Sequence, residues 1–285
     1  MICYPNAKIN LGLNVISVRD DGYHNLETVF YPVPLCDTLS VSTAEEPVES
    51  CKMQVSVSDF ALYTGGIPMN CPAEKNLVVK ALRFLENKYT LSRVHICLYK
   101  RIPGEAGLGG GSSDATFMMK TINQLFNLGI SNEKMEQYVS EIGADCAFFV
   151  RNKPVFASGI GNVFSPVGLS LKNWNIVIVK PQESVSTRQA YSLVRPHKPE
   201  RCAKDIVAEP VESWKDTLHN DFEEGIFAMY PQIERVKQQL YDIDATYAAM
   251  SGSGSAVFGL FRKPQSDNLL RSVFKENFIW QGVLE

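Results

Sequence analysis

The stretch 104-GEAGLGGGSSDAT-116 packs five glycines into eight positions and then stops at Ser112, Ser113 and Asp114. Without Cβ atoms a loop can take φ > 0 and turn several backbone N–H groups towards one anion. A helix follows it: Phe117, Met118, Ile122, Leu125 and Phe126 recur at helical spacing, with Gly129 placed to end it. Ahead of the loop, 94-VHICLYK-100 alternates Val94, Ile96 and Leu98 against His95, Cys97 and Tyr99, the pattern of a half-buried strand, and runs on through Pro103. The unit is therefore strand, glycine loop, helix. The helix N-terminus adds about half a positive charge, so phosphate is the expected occupant. Ser112 and Ser113 suit either helix capping or donation to phosphate oxygens, and Asp114 reads as a first-turn residue that complements the helix dipole.

Two familiar phosphate loops do not fit. Gly104 and Gly109 have the separation of a P-loop, but Gly110 stands where its lysine belongs. A dinucleotide fingerprint starting at Gly107 needs glycine or alanine at 112, where this chain has serine, and no acidic residue follows at the required distance. Glycine richness taken alone leaves a flexible turn as an equal alternative.

Composition narrows the class. The 285 residues, 45% hydrophobic and 21% charged, are those of an ordinary globular protein of one or two domains. With 28 basic against 31 acidic side chains the formal charge is −3, which gives no broad electrostatic reason to bind nucleic acid or an anionic membrane. Seven scattered cysteines, with no C-x-x-C pair and no zinc-like spacing, read as reduced, packed thiols. Asn6, Lys8 and Asn10 interrupt any signal-peptide core, and no apolar run reaches membrane-spanning length. The expected location is the cytoplasm.

Outward from the loop, 7-AKINLGLNVISVRD-20 and 23-YHNLETVFYPV-33 read as extended chain folded back at Asp20–Gly22, with Lys8 and Asn10 on one face. "DTLSVST" and "CKMQVSVSD" are further strands. Leu77, Val78, Ala81, Leu82 and Leu85 form one helical stripe. A helix over 132–142 leads to 143-GADCAFFV-150, read as a short buried strand, and 153-KPVFASGIGNVFSPVG-168 reads as a hairpin. After Lys172 the pattern restarts: strand "NIVIVKP", helices at "STRQAYSLV" and "PQIERVKQQLYD", a strand pair around "SGSGS", and a last helix and strand. That restart places a domain boundary between 150 and 175, with domains expected at 1–160 and 161–285.

Three stretches, "PNAKINLGLNV", "RIPGEAGLGGGSSDA" and "MSGSGSAVFGLF", resemble in order and spacing the three motifs of the GHMP small-molecule kinases. "RDDGYHNLETVF" and "IGADCAFFV" resemble segments of the branch that phosphorylates a cytidine-diphosphate-linked methylerythritol, and the matches run from Ala7 to Phe258. The resemblance implies an α+β, α/β two-domain fold: an N-terminal domain like the second domain of ribosomal protein S5, a ferredoxin-like C-terminal domain, and an active site in the cleft between them. It implies transfer of the γ-phosphoryl of ATP to the substrate's 2-hydroxyl, a step of non-mevalonate isoprenoid synthesis.

Carried over residue by residue, the resemblance makes Lys8 and Asp145 catalytic. It places Asn76, Lys100, Pro103, Gly104, Gly107, Leu108, Gly109, Gly110, Gly111, Ser112 and Ser113 around ATP, and Asn10, Tyr23, His24 and Tyr191 around the cytidine-linked substrate. Asp145 would accept the proton of the attacking hydroxyl or simply orient it, and Lys8 would keep Asp145 ionised while stabilising transferring charge. The "SGSGS" turn would form a second small-residue wall. One departure stands out: Cys146 and Ala147 replace the valine and proline usual after the aspartate, so the backbone that aims Asp145 loses a rigid residue.

No pair of carboxylates or histidines has metal-ligand spacing, so no protein metal site is expected; Mg²⁺ would come with ATP. Partners would be small molecules, with no nucleic acid or membrane, and the chain a monomer or homodimer. Two alternatives remain: another GHMP kinase acting on a different alcohol, which the D-G-Y-H segment disfavours, and a non-catalytic nucleotide binder, which the presence of both Lys8 and Asp145 disfavours.

Overall fold

A computed structural model describes residues 1–44, 51–69 and 71–285. The chain opens with β1 (Ile2–Cys3), β2 (Asn6–Val18), β3 (His24–Cys36), β4 (Thr38–Ser42), β5 (Lys52–Ser56) and β6 (Phe60–Gly66). Next come α1 (Leu77–Glu86), β7 (Val94–Lys100), α2 (Gly110–Leu125), α3 (Asn132–Ser140), α4 (Phe148–Arg151), β8 (Val155–Ser158) and β9 (Val163–Pro166). The rest runs β10 (Asn175–Lys180), α5 (Thr187–Leu193), α6 (Ala203–Ile206), α7 (Phe222–Met229), α8 (Pro231–Asp242), β11 (Tyr247–Met250), β12 (Val257–Phe261), α9 (Asp267–Val273) and β13 (Phe278–Val283).

Two compact units interleave along the chain. The first comprises 1–7, 35–104 and 109–152; the second comprises 8–34, 105–108 and 153–285. In the first, five strands order as β1-β4-β7-β6-β5. β6 and β7 run parallel, from Phe60 opposite Val94 to Gly66 opposite Lys100, and parallel neighbours need a crossover. α1 supplies it. Its apolar residues Val78, Val79, Ala81, Leu82 and Leu85 are buried, its N-terminus is capped by the Asn76 side chain, and it packs on α2.

The second unit holds the sheet β2-β3-β8-β9 and a four-stranded antiparallel sheet, β11-β12-β10-β13. The strand order and the helices between strands make the latter the ferredoxin-like β-α-β-β-α-β arrangement that the motifs imply. α8 covers it with Ile233, Val236 and Leu240, one helical stripe that joins Val177, Val179, Phe222, Met250 and Phe261 in a single core.

Several sequence readings need correction. Residues 143–150 are not a strand: a turn carries the chain through Asp145 into the single-turn helix α4, whose Phe148, Phe149 and Val150 are buried. A short apolar run has no period to separate strand from helix, and packing against α2 settled it. The start of α2 also differs. Its N-cap is Gly109, in the left-handed region (φ 69°), with no side-chain cap, so Ser112 and Ser113 lie within the first turn and do not cap it. Asp114 lies deeper still, fully buried, where it binds a lysine in place of complementing the dipole. The helix ends at Leu125, before Gly129, and Asn127 takes the positive φ that follows. The structure adds β6, α6 and α7, which the apolar spacing does not mark, α7 because the EEGIFAM run is too short to show a period.

Candidate active site

In the second unit, β2 is buried on both faces, yet Lys8 and Asn10 sit there 2% and 3% exposed. Buried polar groups must find partners. Lys8 Nζ donates to Asn10 Oδ1 at 2.6 Å, as residues two apart on a strand can, and lies 4.9 Å from the Phe30 ring centroid. The Asn10 amide donates to the Thr28 hydroxyl at 3.0 Å, and that hydroxyl donates to the Gly12 carbonyl.

The backbone carries the network into the other two motifs. Lys8 N–H donates to the Leu108 carbonyl at 2.9 Å, and Asn10 N–H to Ser251 Oγ at 3.2 Å. Ser251 in turn donates to the Gly107 carbonyl at 2.9 Å. At Gly107 φ is +71°, and a Cβ would overlap the Ser251 carbonyl, so glycine here is a packing requirement. Asn220, outside the predicted set, holds the "SGSGS" turn: its amide donates to the Met250 and Gly252 carbonyls, both at 2.8 Å. An asparagine in an unremarkable loop gives no sequence signal; Thr28 could have been found as the polar residue of an apolar strand.

The same unit brings His24 and Tyr191 together, ring centroids 4.6 Å apart and 32° between planes. Phe222 supports Tyr191 edge-on at 4.9 Å. Tyr23 leaves 62% of its surface exposed, with its N–H donating to Asp21 Oδ1.

In the first unit, the first hydrogen bond of α2 runs from Ser113 N–H to the Gly109 carbonyl. The N–H groups of Gly110, Gly111 and Ser112 therefore have no acceptor within the helix. Pro103 is buried, whereas Gly104 and Gly111 are exposed. Ser113 Oγ and Asn76 Nδ2 are buried atoms with no hydrogen-bond partner, although Asn76 Oδ1 accepts from Val78 N–H. Unpaired buried donors at a loop of free N–H groups are what an anionic, hydrogen-bonding ligand would satisfy.

Lys100 holds a position the sequence did not foretell. Only 6% exposed, its ammonium is bound by Asp37 and by Asp114 Oδ2, the latter at 2.5 Å. Burial works against its charge, but the two carboxylates outweigh that and raise its pKa above the ordinary value. Burial also pushes Asp114 up to about 7, Lys100 opposing the rise and Asp37 adding to it.

Asp145 is half-buried in the turn before α4. Cys146 N–H donates to the Gly143 carbonyl at 3.1 Å, and the Cys146 carbonyl accepts from the Thr116 hydroxyl at 2.8 Å and Phe149 N–H at 3.1 Å. These bonds fix the backbone of the turn that follows Asp145. Burial pushes the Cys146 thiol up to about 11, so it packs as a neutral group. Thr116→Val removes one of the three anchors while Phe149 N–H still serves the Cys146 carbonyl: kcat falls several-fold and stability by about 0.5–1.5 kcal/mol, the net worth of one hydrogen bond, checked by steady-state kinetics and denaturant unfolding.

Comparison with known proteins places these features in a family. Residues 76–153 match the GHMP kinases N terminal domain and residues 202–279 the GHMP kinases C terminal domain. The chain is 51% identical over 285 residues, all of both chains, to a 4-diphosphocytidyl-2-C-methyl-D-erythritol kinase of Bacteroides fragilis. A crystal structure of 4-(cytidine 5'-diphospho)-2C-methyl-D-erythritol kinase superposes with a TM-score of 0.80 at 31% identity, covering 100% of this chain and 99% of that one. The mevalonate kinase of Methanococcus jannaschii shares the fold alone, with a TM-score of 0.73 at 15% identity and coverage of 100% and 98%.

Proposed function

The chain belongs to the 4-diphosphocytidyl-2-C-methyl-D-erythritol kinases of the GHMP family, and from that premise we propose that it transfers the γ-phosphoryl of ATP to the 2-hydroxyl of 4-diphosphocytidyl-2-C-methyl-D-erythritol. It is a small-molecule kinase serving isoprenoid precursor synthesis, and ATP is its co-substrate. The observation that carries the choice of alcohol is the His24–Tyr191 ring pair, braced by Phe222. A flat pyrimidine with one amino donor and two acceptors calls for stacking surfaces and an edge donor or acceptor, and these rings with Tyr23 offer both.

The free N–H groups of Gly110, Gly111 and Ser112, with the Ser113 hydroxyl, bind the β- and γ-phosphates, and Asn76 Nδ2 donates to the nucleotide. The oxygen donors of Ser112 and Ser113 suit Mg²⁺ brought in with ATP, where the ion would neutralise phosphate charge. The substrate hydroxyl oxygen attacks the γ-phosphorus, the bond from that phosphorus to the β–γ bridging oxygen breaks, and ADP leaves. Asp145 orients the hydroxyl and receives its proton, while the Lys8 ammonium stabilises charge on the transferring group. Buried and fixed by Asn10, Lys8 pays little reorganisation when that charge develops. By family segment the chain divides into 1–160 and 161–285, since the two matched segments fall on either side of that division, while by packing residues 8–34 and 105–108 belong with the C-terminal unit. A cytoplasmic setting fits a metabolic kinase, and no helix of the described residues is long and apolar enough to cross a membrane.

Purified protein incubated with ATP, Mg²⁺ and a panel of alcohols gains one phosphoryl mass on the cytidine-linked methylerythritol; phosphorylation of another alcohol alone would sink this assignment. Tyr23→Ala raises KM for that substrate about five- to hundredfold, the range for one aromatic–base stack, and leaves KM for ATP unchanged. His24→Ala weakens discrimination between cytidine- and uridine-linked substrates, whose edges differ in hydrogen-bond polarity. Parental KM values across all three substrates would make the D-G-Y-H segment structural.

A further inference from the structure

Three ionisable side chains, Asp37, Lys100 and Asp114, are buried together at 0%, 6% and 1% exposure. Removing charges from water is costly, and a well-packed apolar trio is usually at least as stable, so stability alone does not account for them. Their connections do. Asp37 sits in the corner between β3 and β4. Its Oδ1 accepts from the backbone N–H groups of Arg101 and Ile102, at 2.5 and 2.8 Å, and its Oδ2 binds Lys100 Nζ. Lys100 reaches on to Asp114 in α2. The carboxylate thus grips the chain as it enters the glycine loop and, through one lysine, the helix by which it leaves. Gly110 lies against this clamp, its Cβ direction meeting Ile102 at 2.8 Å and Lys100 Nζ at 3.5 Å.

We propose that Asp37 is a positioning residue for nucleotide binding: without touching ATP, it sets through Arg101, Ile102 and Lys100 the geometry in which the glycine loop presents its N–H groups. This rests on the loop being the ATP site. Distortion of such a loop by a fraction of an ångström misaligns several charge-assisted hydrogen bonds at once, which weakens the anion more than the fold.

The test uses the full chain with Asp37→Ala and Asp37→Asn. Asparagine keeps an oxygen for the two N–H groups but loses the charge facing Lys100; alanine loses both. The expected result is KM for ATP raised at least about tenfold in Asp37→Ala and a few-fold in Asp37→Asn, with KM for the cytidine-linked alcohol parental in both. Parental KM for ATP in either folded variant, or an equal rise in both KM values, overturns the proposal. Should alanine prevent folding, the isosteric asparagine decides by the same criterion. Amide hydrogen exchange across 104–113 without nucleotide reads the clamp independently: it accelerates in Asp37→Asn if the clamp exists and is unchanged if it does not. Faster exchange in Asp37→Asn than in the parent, when the parent itself binds no ATP by calorimetry, would place the failure in the assignment of the loop, not in the clamp.

Discussion

Asp145→Asn lowers kcat by about 10²- to 10⁴-fold, the range for loss of a general base, while both substrates bind with near-parental affinity. The amide has the shape of the carboxylate and is carried by the same turn, pinned through Cys146 to Gly143 and Thr116. What it lacks is negative charge and the capacity to take a proton. Rapid-quench and steady-state kinetics, with ATP affinity by calorimetry, separate these effects. Near-normal turnover would remove Asp145 from the handling of the hydroxyl proton. A fall in kcat that stays the same at high pH, where a hydroxyl ionises more readily, favours orientation over proton acceptance.

Gly111→Val raises KM for ATP about ten- to hundredfold, on the scale of one lost charge-assisted hydrogen bond, with little change in thermal stability. The position distinguishes binding from folding. A Cβ at Gly111 would meet only Leu77 Cδ1, at 3.6 Å, and the residue is exposed at the start of α2. Valine at Gly110 is a poorer probe, because the added carbon runs into Ile102 at 2.8 Å. At Gly107 a side chain would collide with the Ser251 backbone and fold and binding would fail together. Unchanged ATP affinity in a folded Gly111→Val protein would return the loop to a turn without a ligand.

The glycine loop therefore holds glycines for different reasons, and only some relate to phosphate. From the sequence they look alike, since what a Cβ would strike is set by how the chain folds around the loop: the distant Ser251 for Gly107, and Ile102 at the loop's own entry for Gly110. Periodicity was enough for most of the elements: β2 and β3 as a hairpin pair, α1, α3, β7, the β8–β9 hairpin and the C-terminal order of strands and helices all stand where the apolar spacing puts them. It does not identify β6, and it fails at 143–150 and at α6 and α7, whose segments span only one or two helical turns and so repeat the period too few times to show it.

Local order in the chain, together with three motifs in fixed sequence, determined the two-domain GHMP kinase fold and the kind of reaction, because backbone patterning and motif residues are properties of neighbours in sequence. The tertiary structure alone decided which polar residues became partners. Lys8 found Asn10 two residues away, as a strand dictates, but Lys100 found Asp37 and Asp114, Asn10 found Ser251, and the turn at Asp145 found Thr116. A buried charge or carbonyl is stable only beside a group that satisfies it, and the group that does so is fixed by how distant segments pack.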